Sequence, residues 1–214
     1  MGLTGYHRFA LVANLALGAI ALLDATVRGI TGDNWFVAEE ASTLAVLGVC
    51  AVHAIAYASL VVVLVREKPC FQRANRFARV LRVVLLVCFS VLCVGYTLLI
   101  PLTTLLEVPA DSPFQVASEA FATTVFIAML LGATVLGFAL LRTNPTGVGG
   151  RILLAVVPTI ALMVVLGFVA PDWLHPGYLE AVVGVGVALL GVGAPATADV
   201  VARGRRQRRY STET

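Results

Sequence analysis

The sequence predicts an all-α integral membrane protein, a bundle of six transmembrane helices with both termini in the cytoplasm. Three observations support this fold class: an apolar composition, six long apolar segments and a one-sided distribution of basic residues. Of the 214 residues, 59% are hydrophobic and 13% are charged, whereas an average soluble domain has about 25% charged residues. The chain is therefore too apolar for an ordinary soluble domain.

Six apolar segments are long enough to cross a bilayer. A spanning helix needs about 20 mainly apolar residues, and it satisfies its own main-chain hydrogen bonds where lipid offers no partners. The predicted spans cover about residues 9–28, 42–65, 80–106, 116–141, 152–171 and 179–201. They form one transmembrane domain at residues 1–202, and a basic cytoplasmic tail follows at 203–214.

The basic residues set the predicted orientation. With six spans drawn, every one of the 15 Lys and Arg residues except Arg28 falls on the side of both termini. Cytoplasmic loops of membrane proteins carry an excess of Lys and Arg, so we expect both termini in the cytoplasm. Abundant Ala, Val and Gly, with Arg far exceeding Lys, favour a bacterial chain and hence the bacterial plasma membrane.

The loops predicted to lie outside share a weak repeat, which favours three helical hairpins. Each has an acid, an aromatic residue and then a Glu-Ala pair that opens the next helix. If Glu40, Glu119 and Glu180 converge, they form an acidic outer mouth that concentrates cations. The alternative is that Glu complements the dipole of a first helical turn, while the aromatic residue lies at the membrane interface.

The second span carries the first half of a candidate binding site. At 100° per residue, one face of this helix carries Glu39, Thr43, Cys50, His53 and Tyr57. We expect His53 about 15 Å from the helix start, at about 1.5 Å per residue, and an ionisable group at that depth indicates function. The alternative is that a neighbouring hydroxyl or carbonyl satisfies the ring and the role is structural.

The third span supplies a matching polar face. Ser90, Cys93, Thr97, Pro101 and Thr104 align by the same arithmetic, and we expect them to meet the His53 face. Pro101 lacks a main-chain N–H and predicts a kink. The alternative is that these small polar side chains simply pack between helices.

Small residues predict where helices approach one another closely. In the sixth span Gly184, Ala188 and Gly191 share one side, and in the first span Asn14 shares a face with Gly18 and Ala21. We expect close packing within the chain and a hydrogen bond from Asn14 across the contact. A seam between two copies of the chain is the alternative.

A basic segment precedes the third span. Arg73, Arg76, Arg79 and Arg82 alternate with apolar residues, a pattern that suits a short amphipathic helix bound to anionic lipid at the cytoplasmic face. The alternative is that these arginines only fix the topology. Nucleic acid is not expected as a partner.

Two classes of function remain, and neither is enzymatic. The chain has no GxSxG, HExxH or phosphate-loop motif, no zinc-like Cys and His spacing and no second deep histidine for a haem, so we expect no catalytic residue, metal or cofactor. The first class is a small-solute binding or transport module. The second is a non-catalytic protein that assembles with a protein partner or a second copy of the chain. This second class would be favoured if the polar side chains of the two faces form hydrogen bonds with main-chain carbonyls.

The predicted orientation has a direct test. Green fluorescent protein fused after Thr214 should fluoresce, and alkaline phosphatase fused there should be inactive, because both arginine-rich ends are expected to remain in the cytoplasm. The pair of fusions is compared with the same pair placed after Asp111. An active phosphatase after Thr214 would contradict the orientation.

Overall fold

The computed structural model describes residues 2–32, 42–141 and 146–194. In this part of the chain the structure is all helical, with no strand, and a 3₁₀ turn at Pro171–Trp173 precedes the last helix. The helices are α1 (Gly5–Thr31), α2 (Thr43–Arg66), α3 (Lys68–Gln72), α4 (Arg76–Leu105), α5 (Pro113–Leu140), α6 (Val148–Val169) and α7 (Gly177–Ala188).

Five of the described helices, α1, α2, α4, α5 and α6, are long and apolar enough to cross a membrane. The all-α class is therefore confirmed, and the structure is compatible with a multi-pass membrane protein. The sixth predicted span overlaps α7, which at 12 residues is shorter than the roughly 20 that a full crossing needs. Residues 195–214 lie outside the described part, so the sixth span and the orientation stay predictions.

Capping residues explain where several helices begin. The side chains of Ser42, Asn75 and Ser112 accept hydrogen bonds from main-chain N–H groups three residues later, which satisfies donors that a helix start leaves free. The Asn75 cap places the start of α4 at Arg76, whereas hydropathy alone predicted about residue 80. The difference arises because Arg76 and Arg79 lower the hydropathy of the first turns.

A π-helical turn at Gly95–Leu99 interrupts α4 just before Pro101. A proline ring clashes with the carbonyl four residues earlier and removes one N–H donor, and the sequence accordingly predicted a local distortion here. In the wider turn the Ile100 N–H donates to the Gly95 carbonyl. Such turns often lie at functional sites, and this one contains Tyr96.

Helices α1 and α7 pack along a seam of small residues. A Cβ atom added to Gly18 would lie 3.1 Å from the Cβ of Ala181, and one added to Gly177 or Gly184 would overlap Ala21 or Asn14. The predicted close packing within the chain is therefore confirmed. Asn14 also donates across the contact region to Ser59 of α2, at 3.4 Å.

This α1–α7 seam fixes the level of the residues on α7. Gly18 is the middle residue of α1, which runs from Gly5 to Thr31. Ala181 contacts Gly18, so the neighbouring Glu180 lies level with the middle of α1. Glu180 is only the fourth residue of α7, yet it lies far from either end of α1.

The other end of α7 is held by main-chain contacts with the start of α6. The Gly149 N–H donates to the Leu189 carbonyl at 3.2 Å, and the Val148 N–H donates to the Val192 carbonyl at 2.8 Å. A Cβ atom on Gly149 would overlap main-chain atoms of Gly186, Leu189 and Leu190. These atoms cannot rotate away as a side chain can.

The Gly149→Ala variant should therefore lose about 1–3 kcal/mol of unfolding free energy, as an overpacked core does. The measurement is the SDS-induced unfolding curve of the purified protein in detergent. Gly48→Ala is the matched control, because a Cβ atom there meets nothing within 4 Å. Equal stability of the two variants would contradict the close α6–α7 contact.

Candidate functional site

Four side chains from three helices meet in a cluster of His53, Tyr57, Tyr96 and Glu180, here called the central cluster. The Tyr57 hydroxyl donates a hydrogen bond to Glu180 Oε1, and His53 Nε2 lies 3.8 Å from the same oxygen. The Tyr96 ring stacks on the His53 ring, with centroids 4.3 Å apart and planes 8° from parallel. Helices α2 and α7 and the π turn of α4 thus build one site.

The hydrogen bonds around His53 define its chemistry. His53 Nδ1 lies 2.8 Å from the Val49 carbonyl oxygen, and a carbonyl can only accept, so Nδ1 carries a proton. Nε2 is left facing Glu180. A proton on Nε2 makes this contact an ion pair, whereas a proton on the carboxyl group makes it a neutral pair.

The His53–Glu180 contact is largely buried. The side chains of His53 and Glu180 are each 12% exposed, and Tyr57 is buried. Ionisable groups deep in a membrane bundle are costly and usually mark ion pathways, proton relays or ligand sites. The central cluster lies level with the middle of α1. It is therefore the best candidate for such a site among the described residues.

The predicted α2 and α4 faces are only partly brought together. Cys93 Sγ lies 3.5 Å from the Ala54 carbonyl, and Thr97 donates to the Cys93 carbonyl at 2.6 Å, so these side chains are satisfied by main chain. The remaining predicted residues differ in burial: Cys50 is buried, Ser90 is half-buried and Thr43 is exposed.

The glutamates predicted for an acidic outer mouth have different surroundings. Glu180 belongs to the central cluster, whereas Glu119 is exposed on α5 and accepts a hydrogen bond from Gln115 at 3.1 Å. Glu40 and the Glu39 of the predicted α2 face lie outside the described residues. The mouth therefore stays a prediction.

The basic segment is not one amphipathic helix, and that prediction is wrong. The short α3 ends at Gln72, and Arg76, Arg79 and Arg82 belong to the first turns of α4 because Asn75 caps that helix. Arg73, Arg76 and Arg79 are exposed, while Arg82 Nε donates to the Leu64 carbonyl at 2.7 Å. Binding of anionic lipid stays a prediction.

A second buried pair, His7 and Glu67, was not predicted. His7 Nε2 lies 2.8 Å from the Leu190 carbonyl and 3.4 Å from Glu67 Oε1, and Tyr6 donates to the same carboxylate oxygen at 2.6 Å. His7 is 1% exposed and Glu67 is 4% exposed. This pair joins the first turn of α1, the end of α2 and the chain after α7.

Cys70 completes the surroundings of Glu67. Its thiol donates to Glu67 Oε2 at 2.9 Å. Burial, together with the hydrogen bond and the charge of Glu67, raises the pKa of the Cys70 thiol to about 12. The thiol therefore stays protonated at neutral pH and acts as a hydrogen-bond donor, so both carboxylate oxygens are satisfied.

A third pair, His175 and Asp24, was also not predicted. The Gly177 N–H donates to His175 Nδ1 at 3.1 Å, so Nδ1 has no proton. The proton lies on Nε2, which is 3.1 Å from Asp24 Oδ2 and donates to it. Asp24 is buried, whereas the His175 side chain is 17% exposed.

All three histidines of the chain therefore face a carboxylate, although the sequence singled out only His53. His7 and His175 lie at or beyond the ends of apolar segments, where an exposed position is the ordinary expectation. Tyr96 could have been predicted to face the core, because it lies seven residues after the core residue Phe89 and therefore on the same helical face.

No family model, curated protein or solved structure was found to match this chain. Among the described residues, no group of three or more His, Cys, Asp or Glu side chains is arranged to hold a metal ion.

The bond from Tyr57 to Glu180 gives a test of the central cluster. Tyr57→Phe should lower the free energy of unfolding in SDS by about 1–3 kcal/mol, because a buried acceptor loses its donor. Tyr96→Phe is the control, since it keeps the ring stacked on His53 and removes a different hydroxyl. A Tyr57→Phe protein as stable as the control would show that this bond contributes little.

Proposed function

We propose that the chain is a small-solute binding or transport module of the bacterial plasma membrane, and that its solute is a small organic cation. The proposed binding site is the central cluster, with Glu180 as the anionic group. The observation that carries the proposal is a carboxylate placed level with the middle of α1 and bordered by aromatic rings.

The recognition chemistry follows from the cluster. A carboxylate attracts a cation far more strongly in a low-dielectric site than in water. The faces of Tyr57 and Tyr96 add cation–π attraction. The Tyr96 ring centroid lies 4.3 Å from that of His53 and 5.7 Å from that of Tyr57. A planar or quaternary amine combines the charge and the apolar surface that such a site favours.

We further propose that both termini are cytoplasmic, as the basic residues indicate. A solute then approaches from outside over the predicted acidic surface that includes Glu119.

A second candidate function is assembly with another membrane protein or a second copy. It is favoured by the polar face of α4, where Cys93 and Thr97 are satisfied by main-chain carbonyls and leave no group for a solute. The two functions differ in whether Glu180 is needed for binding a cation.

The test uses ethidium, a fluorescent planar cation, with the purified protein in detergent. We expect saturable binding to the wild-type protein. Glu180→Gln should weaken binding at least about tenfold, or about 1.4 kcal/mol. Protein-free micelles give the background from partitioning.

Glu107→Gln is the matched control, because Glu107 is exposed in the turn after α4 and belongs to no part of the proposed site. It should bind ethidium as the wild type does. Equal affinity of wild type and Glu180→Gln, or the absence of a saturable component, would refute cation binding at the central cluster and leave assembly as the surviving candidate.

A further inference from the structure

We propose that His53 selects the solute of the central cluster by accepting a hydrogen bond, and that the solute is a cation whose charged nitrogen carries N–H groups. Protonated amines, amidinium groups and guanidinium groups belong to this class, whereas quaternary amines do not. This inference rests on the proposed function, since it assumes a cation at Glu180, and it narrows the class of solute that the site favours.

The hydrogen bond from His53 to the main chain leaves an acceptor beside Glu180. His53 Nδ1 lies 2.8 Å from the Val49 carbonyl oxygen, so Nδ1 is the nitrogen that carries the hydrogen in the neutral ring. The other nitrogen, Nε2, then has a lone pair and can only accept. It faces Glu180 Oε1 at 3.8 Å, which is beyond hydrogen-bonding distance.

The other two histidines are held the opposite way. The Leu190 carbonyl oxygen lies 2.8 Å from His7 Nε2, so that nitrogen carries a hydrogen. The Gly177 N–H donates to His175 Nδ1, so the hydrogen of that neutral ring is on Nε2. Both rings therefore carry an N–H group on the side of the carboxylate that they face. In His53 the main chain binds the nitrogen remote from the carboxylate, and the near nitrogen is left to accept.

The charge of Glu180 is not neutralised by a fixed cation of the described chain. Among the described residues, no Lys or Arg side chain forms an ion pair with Glu180. The hydrogen bond that Glu180 Oε1 accepts comes from the uncharged hydroxyl of Tyr57. A carboxylate oxygen has lone pairs for more than one donor, so Oε1 can accept a second bond from a cationic solute.

The free edge of the His53 ring is accessible. In the described part of the chain, the buried side-chain nitrogen and oxygen atoms without a hydrogen-bond partner are Gln115 Oε1 and Thr146 Oγ1. His53 Nε2 also has no hydrogen-bond partner among the described residues, yet it is not one of these buried atoms. A small molecule can therefore reach this nitrogen.

A nitrogen that carries at least two N–H groups can bridge the two acceptors. A charged N–H group lies about 2.7–2.9 Å from its acceptor, so one nitrogen can bond both His53 Nε2 and Glu180 Oε1, which are 3.8 Å apart. A quaternary nitrogen has no hydrogen to donate. It would cover His53 Nε2 without bonding it, which costs the desolvation of a polar group.

The surroundings of His53 keep its acceptor in place. A positive charge on the ring would repel a bound cation, so the complex favours the neutral, accepting form. The Tyr96 ring stacks on the imidazole with centroids 4.3 Å apart, and the Tyr57 ring lies edge-on at 6.0 Å. Together with the Val49 carbonyl, these rings set the direction of the Nε2 lone pair.

The experiment compares two probes that differ in their N–H groups. Benzylammonium and benzyltrimethylammonium share an aromatic ring and a single positive charge at neutral pH, but only the first has N–H groups on its charged nitrogen. Binding to the purified full-length protein in detergent is measured by isothermal titration calorimetry, with protein-free micelles as the background. We expect benzylammonium to bind at least about tenfold more tightly, since a quaternary nitrogen loses a charge-assisted hydrogen bond.

Two variants test whether this preference depends on the acceptor of His53. His53→Phe keeps a ring against Tyr96 but has no acceptor, so it should lower the ratio of the two affinities at least about fivefold. His53→Gln offers an amide oxygen as an acceptor and should keep a larger ratio than His53→Phe. Glu107→Gln is the control and should keep the wild-type ratio. The probes differ in size by the same amount for every variant, so a changed ratio reports the hydrogen bond.

The outcomes separate this inference from the proposed function. Equal affinity of the wild type for the two probes would overturn selection by N–H groups and leave cation binding standing. A wild-type ratio in folded His53→Phe, or a ratio in His53→Gln no larger than in His53→Phe, would overturn the role of His53. Saturable binding of ethidium without binding of either probe would overturn this inference alone, whereas failure of all three ligands would overturn both proposals. The two probes are compared first on the wild type, so the inference can be overturned even if a variant does not fold.

Discussion

The close approach of α7 to α1 is the contact on which the rest of the structure depends. It exists because Gly18, Gly177 and Gly184 carry no side chain at the points where Ala181, Ala21 and Asn14 arrive. In lipid, where apolar side chains gain little by leaving one solvent for a similar one, such small-residue contacts are what hold helices together. The same contact sets how deep Glu180 lies, and therefore which groups it can meet.

Much of the fold is predictable from the sequence, because it follows from local patterns. Apolar length predicts the five long helices, and small-residue spacing predicts the close packing of Gly18 and Gly184 within the chain. The helix starts were less accurate, since capping by Asn75 is decided by one side chain that hydropathy does not register. Arg76 and Arg79 belong to α4 for that reason, and the predicted amphipathic helix does not exist as such.

The candidate site was predictable only in part, because its partners come from distant segments. His53 and Tyr57 share a helical face and were found from spacing alone. Glu180 was noticed but expected at an outer mouth, since its position near a helix start does not reveal how deep that helix begins. The partners of His7 and His175 are 60 and 151 residues away in the chain, and no local pattern encodes such contacts.

Gly191 illustrates how one position can be constrained by two unrelated requirements. Its backbone has φ +88°, which disfavours residues with a side chain, and a Cβ atom there would overlap the Glu67 carboxylate. Loss of this glycine would therefore bend the chain after α7 and expel a buried acid at once. A smaller residue in place of Glu67 would relieve only the overlap, since the backbone angle would still require glycine at position 191.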